Sequence, residues 1–354
     1  MLPTNPALIH RRLLGWFETN KRDLPWRRTS DPYAIWISET MLQQTQVKTV
    51  VPYYENFLKA FPTIEALDRA PLRRVLRAWS GLGYYRRAAN LKKSAAELMR
   101  RHGGTMPQDY ENLLALPGIG DYTAGAILSI AFQKTYPAVD GNARRVLGRL
   151  LNIAQSKQVR GAAEQLISKS DPGNFNQAIM ELGATICLPT EPLCLLCPLA
   201  AHCRAHSRSA TSNKPAFQKK LTFRNVTWPL AIIRRGKKIL LRRRAKTGLL
   251  AGMWELPGGE KPSSDGVVKT LRRHLQEIGP ISLIPLAIGE IRHSITYRRI
   301  YAPIFLFDLS LDDTIDLPAT NWRWVAPAAL ERYPASSMTL KAARVLASYE
   351  KRAC

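Results

Sequence analysis

The segment Leu113–Gly148 reads LLALPGIGDYTAGAILSIAFQKTYPAVDGNARRVLG and decides the fold of the chain. Pro117, Gly118 and Gly120 end one predicted helix, and the Ala- and Ile-rich run 121–132 begins another. Glycines let main-chain N–H groups approach a surface closely, and a helix start offers unpaired N–H groups and a positive dipole end. The pattern therefore predicts two helices joined by a hairpin that can hold a phosphate at Gly118 and Gly120.

A carboxylate follows this hairpin at a short distance in the chain. Asp140 lies in Val-Asp-Gly-Asn, just before a basic helix predicted for residues 143–151. One stretch therefore combines a phosphate-binding hairpin with a reactive acid. The pattern leaves two alternatives open, an ordinary helix–helix turn for the glycines and a helix N-cap for Asp140.

Length and charge predict two basic domains. A chain of 354 residues exceeds one typical core. Its 52 Lys and Arg against 27 Asp and Glu give a net charge of +25, and basic residues predominate on both sides of residue 210. A polyanionic partner is expected, although charge alone leaves ribosomal or membrane-surface binding open. The sequence shows neither a bilayer-spanning apolar run nor a secretory signal, which favours a cytoplasmic protein without a membrane partner.

The segment 34–54 is mostly apolar or neutral, yet it contains Glu39. A carboxylate among Ile35, Trp36 and Met41 is partly desolvated, which raises its pKa and suits a general acid. A salt-bridged structural glutamate is the alternative. The polar cluster 43–46 follows, and its composition is unsuited to a core.

Two further segments carry aromatic and basic residues. The basic loop 22–28 contains Trp26 and Arg27, and its alternative interpretation is a surface loop with one buried Trp. In the glycine turn 79–87, Leu82 and Tyr84 suit a wedge between nucleic-acid bases. Packing of these two side chains inside the protein is equally compatible with the pattern.

Four of the five cysteines lie within seventeen residues: Cys187, Cys194, Cys197 and Cys203 are separated by six, two and five residues. In a reducing compartment this spacing predicts a metal site rather than disulfides. Zinc is a chemical alternative to an iron-sulfur cluster. The run 188–193 has no Lys or Arg, so a phosphate contact from this loop is not expected.

The regular spacing of apolar residues is lost after the four cysteines. The segment 205–225 is rich in Ser, Thr, Lys and Pro and is predicted to be a linker between an all-α domain, 1–204, and a smaller mixed α/β domain, 226–354. Strands are expected at 228–233, 239–241, 281–288 and 301–309, with a helix at 266–278.

The hairpin, Asp140 and the segment around Glu39 together resemble the helix-hairpin-helix DNA glycosylases, and most closely the MutY adenine glycosylase family. The resemblance implies that Glu39 protonates adenine, that Asp140 stabilises the sugar cation, and that Tyr122 and Asn142 support them. It implies contacts with the duplex or the extruded base from Trp26, Arg27, Gln44, Thr45, Leu82, Tyr84 and Glu181. It also implies a 4Fe-4S cluster on the four cysteines.

The resemblance implies further limits on the reaction and the partner. Endonuclease III-like relatives carry a Schiff-base-forming lysine where this chain has Tyr122, which implies a monofunctional enzyme that leaves an abasic site. The expected partner is duplex DNA with adenine opposite 8-oxoguanine or guanine, bound by a monomer associated with the nucleoid. A bifunctional endonuclease III-like glycosylase/lyase stays open as an alternative, as does a non-catalytic DNA-binding protein.

The C-terminal domain resembles a Nudix fold whose hydrolase motif is eroded. The segment 248–259 resembles the entry to the fold, but Ser264, Arg273 and Gln276 occupy three acidic positions of the motif. Magnesium-dependent hydrolysis needs those oxygens, so binding is favoured and a nucleotide hydrolase is the alternative. By resemblance, a loop at 292–294 recognises 8-oxoguanine through His293 and Ser294, with Arg292 at a position where relatives have Ser.

Overall fold

The computed structural model describes residues 5–207, 222–245, 252–278, 284–295, 297–310, 313, 315, 317 and 321–353. Two compact units make up the chain: Met1–Ala70 with Asn90–Lys219, and Pro71–Ala89 with Lys220–Cys354. The sequence did not predict that 71–89 groups with the C-terminal part. Within this second unit Ser80 Oγ donates to the carbonyl of Ala335 at 3.0 Å. Residues 208–221 of the predicted linker lie outside the described residues.

The first unit is helical, as the sequence predicts. Its described helices are α1 (Pro6–Asn20), α2 (Pro32–Leu42), α3 (Val47–Ala60), α4 (Ile64–Arg69), α6 (Arg86–His102), α7 (Tyr110–Leu114), α8 (Asp121–Ile130), α9 (Gly141–Leu151), α10 (Ser156–Leu166), α11 (Pro172–Thr185) and α12 (Arg204–Ser207). The first turn of α6 belongs to the second unit. Helix α1 buries Ile9, Leu13 and Phe17 in one apolar cluster with side chains of α9, α10 and α11. The spacing of these three apolar residues is typical of one face of an amphipathic helix.

The predicted hairpin is present. It consists of α7, a turn through Gly118, and α8, which begins at Asp121 and ends two residues before the predicted boundary. Helix α11 ends at Thr185, and the N–H groups of Ile186 and Cys187 after it both bond to the carbonyl of Leu182. These two hydrogen bonds end the helix, and the chain continues directly into the segment that contains the four cysteines.

The second unit contains one sheet of seven described strands: β1 (Arg224–Thr227), β2 (Leu230–Arg235), β3 (Lys238–Arg243), β4 (Trp254–Glu255), β5 (Leu286–Ile295), β6 (Arg298–Leu309) and β7 (Trp322–Val325). The helices of this unit are α5 (Leu72–Ala78), α13 (Val267–Leu275) and α14 (Ser337–Ala353). Strands β1 and β2 both pair in parallel with β6, and β5 pairs with β6 antiparallel. The mixed sheet confirms the predicted α/β class.

The prediction of a loop at Arg292–Ser294 is wrong. These residues lie in β5, where His293 pairs with Ile300 and Ser294 with Arg299 of β6. The alternation of exposed Arg292 with half-buried His293 is typical of an edge strand over a core. No helix in the described part of the chain is long and apolar enough to cross a bilayer.

Candidate active site

Glu39 lies on the most buried helix of the site. Asp31 caps the start of α2 by accepting hydrogen bonds from Tyr33 and Ala34, and every residue from Tyr33 to Met41 is buried. The Glu39 side chain is 5% exposed. Burial raises its pKa to about 7, and the charge of Asp140 adds to this, while a hydrogen bond from Tyr122 and the charge of Arg27 oppose it.

Tyr122 links the hairpin to this acid. It stands on the first turn of α8, and its hydroxyl donates to Glu39 Oε2. The sulfur of Met180 on α11 lies 3.4 Å from the same hydroxyl. The resemblance implied only that Tyr122 supports the two acids, and neither it nor the residue pattern indicated Met180.

Asp140 is both an N-cap and a member of the site. Its Oδ1 accepts from the Ala143 N–H at 2.6 Å, and its Oδ2 accepts from Asn142 Nδ2 at 3.1 Å. Burial raises the pKa of Asp140, whereas these donors oppose the rise. The alternatives left by the sequence are thus not exclusive, because one carboxylate caps α9 and adds to the rise in the pKa of Glu39.

Asn142 connects Asp140 to the cysteine segment. Its Oδ1 accepts from Arg145 Nη2 at 2.8 Å, and Arg145 Nε donates to the carbonyl of Cys187 at 2.7 Å. A side chain at Gly183 would meet Asn142 Cβ at 2.6 Å, so α9 and α11 pack at this point only around glycine. The orientation of Asp140 is therefore coupled to the first cysteine.

Glu181 does not have free oxygens in this structure. The residue is 1% exposed, and its carboxylate accepts from Arg22 at 2.7 and 2.8 Å and from Arg27 at 2.8 Å. Burial would raise the pKa of Glu181, but the two arginines outweigh it and lower the pKa to about 2. The expected reading of a base edge by Glu181 stays a prediction, and Arg22 is a site residue that sequence reasoning missed.

Trp26 and Arg27 occupy a short helical turn beside this ion pair. Trp26 is 6% exposed and packs edge-to-face on Tyr54, with ring centroids 5.4 Å apart. The Arg27 guanidinium lies over the ring of Phe17, 5.2 Å from its centroid. Arg27 faces the site, whereas Trp26 is held in the core, as its alternative interpretation allowed.

The segment after α2 has an unusual backbone. Gln44 is exposed and has φ of 57°, a conformation that costs energy for a residue other than glycine. Thr45 follows, and its N–H bonds to the carbonyl of Leu42 at 3.2 Å. This turn presents the predicted polar cluster at the end of the helix that carries Glu39.

The hairpin turn depends on glycine at one position and is open at another. Gly118 has φ of +84°, and a Cβ there would lie 2.8 Å from Asn90 Cβ. Gly120 precedes α8, and nothing lies within 4 Å of the position of its Cβ. Asp121 on the first turn pairs with Arg160 at 2.5 Å, which offsets its negative charge near a phosphate.

The four cysteines line one cavity of about 330 Å³. All four are free thiols of intermediate exposure. Arg149 Nη1 lies 3.3 Å from the sulfur of Cys187, and the remaining wall is mainly apolar, including Leu182, Ile186 and Leu199. Among the described residues, no three His, Cys, Asp or Glu side chains are grouped closely enough to hold a metal ion.

The glycine turn of the second unit buries one of its two predicted wedge residues. Leu82 is 6% exposed, which agrees with the packed alternative that the sequence left open, and its insertion between bases stays a prediction. Its N–H and the Trp79 indole close the turn, which folds the leucine inward. Tyr84 is 42% exposed with φ of 48°, and Arg87 stacks on its ring at 5.4 Å.

His293 and Ser294 line a basic cavity of about 580 Å³ with Arg292, Arg299 and Lys341. Burial and the charge of Lys341 lower the pKa of His293 to about 4, so this imidazole is neutral at pH 7. The two predicted residues are therefore brought together on the β5–β6 surface, although their strand was expected to be a loop.

The eroded Nudix motif has an ion pair where metal ligands are needed. Arg273 Nη1 lies 2.6 Å from Asp265 Oδ2, and Lys269 pairs with the same carboxylate at 3.2 Å. The entry segment is described only from Gly252, and Gly279 lies outside the described residues. Positive charge at this position disfavours a divalent cation.

Family models match both parts of the chain. The HhH-GPD superfamily base excision DNA repair protein model matches residues 37–169, and the NUDIX domain model matches residues 230–344. A thermostable thymine-DNA glycosylase structure is 30% identical, covers 57% of this chain and 97% of its own, and has a TM-score of 0.55. An endonuclease III–DNA covalent intermediate, 24% identical over 59% of this chain and 99% of its own with a TM-score of 0.51, shares the fold.

Curated relatives match between about half and nearly all of the chain. Adenine DNA glycosylase of Homo sapiens is 34% identical over 97% of this chain and 74% of its own length. Adenine DNA glycosylase of Rattus norvegicus is 35% identical over 98% of this chain and 79% of its own. Adenine DNA glycosylase of Mycolicibacterium smegmatis is 41% identical over 55% of this chain and 68% of its own.

Proposed function

The chain belongs to the adenine DNA glycosylase family, and from this premise we propose that it removes adenine opposite 8-oxoguanine or guanine in duplex DNA. The reaction hydrolyses the N-glycosidic bond and leaves an abasic site. The observation that carries the proposal is Glu39, a buried carboxyl whose pKa of about 7 allows it to hold a proton near neutral pH. Adenine is a poor leaving group, so an acid must protonate it, at N7 in our proposal.

Asp140 complements this acid. As the bond to adenine breaks, the sugar acquires positive charge, which a nearby carboxylate stabilises electrostatically or by a transient covalent bond. The N–H of Ala143 and the amide of Asn142 hold both Asp140 oxygens in place. Preorganised charge of this kind costs no reorganisation during the reaction.

The enzyme is monofunctional in this proposal. Tyr122 occupies the motif position at which bifunctional relatives carry a lysine, and a phenol cannot form a Schiff base with the sugar. Its hydroxyl is already bonded to Glu39. Water is therefore the nucleophile that completes the reaction.

DNA binding requires the adenine to be extruded from the duplex. The strained turn at Gln44 and Thr45 is suited to fill or flank the vacated position. In the second unit, the exposed ring of Tyr84 is suited to stack on a base. The N–H groups at Gly118 and Gly120 would bind a backbone phosphate. A surplus of 25 positive charges supports further phosphate contacts.

We propose that the four cysteines hold a 4Fe-4S cluster, which is a larger group than the single metal ion for which the described residues offer no close ligand set. Their thiols surround a shared cavity, and Arg149 adds positive charge beside Cys187, which suits an anionic thiolate-bound group. Cys187, Cys194, Cys197 and Cys203 would hold the cluster. When bound, the cluster would link the four cysteines covalently and so close the loop 187–203 next to α9. The steps of base excision are carried out by Glu39, Asp140 and Tyr122 in this proposal.

Recognition of the opposite base falls to the second unit. The cavity at His293 offers hydroxyl, imidazole and cationic groups on one surface. A neutral imidazole can both donate and accept a hydrogen bond, which suits the edge of an oxidised base. The cationic side chains of Arg292, Arg299 and Lys341 would contact phosphates of the DNA backbone.

The experiment is a panel of duplexes carrying A opposite 8-oxoguanine, G, C or T, incubated with the full chain. We expect alkali-labile sites with the first two and little cleavage without alkali. Asp140→Asn should bind the duplex but lose most of the release rate. No alkali-labile sites with any duplex would reject the function, and efficient borohydride trapping would reject monofunctional chemistry in favour of a lyase.

A further inference from the structure

We propose that Met180 is a positioning residue whose sulfur shares the Tyr122 hydroxyl proton with Glu39 and so helps Glu39 to stay protonated near neutral pH. The inference rests on the proposed function, in which Glu39 is the acid. Two acceptors lie within reach of one phenol: Glu39 Oε2 and Met180 Sδ, the latter at 3.4 Å. A tyrosine hydroxyl has only one proton to donate.

The sign of the effect follows from this competition. A hydrogen bond from Tyr122 stabilises the carboxylate form of Glu39 and lowers its pKa. Whenever the phenol turns its proton to the sulfur, Glu39 loses that stabilisation and its protonated form is favoured. A thioether is a weak acceptor, so it weakens the bond to Glu39 without removing it.

Met180 is placed for this role by α11. It is partly buried and directly precedes Glu181, whose ion pairs with Arg22 and Arg27 fix this part of the helix. The charged and titratable groups that act on Glu39 are Tyr122, Asp140 and Arg27. Met180 adds no charge to this set, and its contact with the phenol is the route by which it acts on Glu39 in this proposal.

The test measures single-turnover adenine release by the full chain against pH. Release should fall as pH rises through the pKa of Glu39, which gives an alkaline limb. Met180→Leu conserves volume and removes the sulfur. We expect its limb to lie about half a pH unit lower, with release about threefold slower above the limb and an unchanged plateau below it. Met106→Leu, at a methionine that is 2% exposed, is the matched control and should leave the limb unmoved.

Tyr122→Phe provides the second measurement. It removes the bond that lowers the pKa of Glu39, so the limb should move to higher pH, and adding Met180→Leu to it should cause no further shift. An unmoved limb in Met180→Leu, a plateau lowered equally at every pH, or the same shift in the Tyr122→Phe background would each overturn the role of Met180. If Met180→Leu does not fold, Met180→Ile removes the sulfur equally. Absence of adenine release by the unmodified chain would instead reject the proposed function itself.

Discussion

Arg27 Nη2 and Glu181 Oε2 lie 2.8 Å apart across 154 positions of the chain. Arg27 is the cation that lowers the pKa of Glu39, and Glu181 is the carboxylate that neutralises it. The buried ion pair therefore limits the influence of Arg27 on Glu39, the proposed acid. This gives Glu181 a role in the electrostatics of the site that is separate from any contact with adenine.

Glu181→Gln is predicted to shift activity toward lower pH. Removing the carboxylate leaves the positive charge of Arg27 uncompensated, which lowers the pKa of Glu39 and reduces its protonated fraction above neutral pH. The alkaline limb of single-turnover release should move down by about 1 pH unit. Glu97→Gln, on the partly exposed ion pair with Arg100, is the control. A limb that stays in place would show that the ion pair does not act on Glu39.

Loss of one cysteine is predicted to remove the cluster. The purified protein should be brown, with iron and acid-labile sulfide in comparable amounts. Cys197→Ser should lose both and lower the folded yield, because a ligand that closes the loop is missing. Cys354→Ser, outside the four-cysteine set, should retain colour and yield. Stoichiometric zinc without sulfide would contradict the iron-sulfur assignment.

The second unit is predicted to bind without hydrolysing nucleotides. Arg273 and Lys269 both pair with Asp265, so positive charge occupies the region where a divalent cation would need carboxylates. Oxidised deoxynucleoside triphosphate with magnesium should therefore yield no pyrophosphate above the background without protein. Magnesium-dependent pyrophosphate release that follows the protein through purification would restore the hydrolase alternative.

Two substitutions in the basic cavity are predicted to have different effects, one on the preference for the lesion and the other on the overall affinity for DNA. His293→Ala should reduce the preference for A opposite 8-oxoguanine over A opposite G by about tenfold, because a base-edge contact is worth ~1–3 kcal/mol. Arg299→Ala should weaken binding to both duplexes equally. It should also reduce the slope of the logarithm of the binding constant against the logarithm of the salt concentration by about 1. Competition binding at two salt concentrations separates these effects. An unchanged preference in His293→Ala would place lesion recognition elsewhere.

The parts of the fold that depend on local pattern were predictable from the sequence. Proline and glycine residues located the hairpin between its two helices. The short strands β1 and β7 were missed because they are four residues each and gain their stability from pairing with β6 and β3. Arg292–Ser294 was placed in a loop by the family resemblance, and the tripeptide itself does not reveal its partner strand β6.

The candidate site was predictable where a residue type is unusual for its surroundings. Glu39 among apolar neighbours and Asp140 before a helix were identified in this way. Met180 and Arg22 were not, since a methionine in an apolar helix and an arginine in a basic loop look ordinary. Their roles arise from contacts with Tyr122 and Glu181, which are 58 and 159 positions away in the chain.

The most direct test of the account is the pH dependence of adenine release by the unmodified chain beside Glu39→Gln. Burial raises the pKa of Glu39 to about 7, so release from the A:8-oxoguanine duplex should fall about tenfold per pH unit above that value. Glu39→Gln should bind the duplex normally and release adenine at least about 100-fold more slowly. Release by the unmodified chain that stays constant from pH 6 to 9, or near-normal release by Glu39→Gln, would contradict the assignment of Glu39 as the acid.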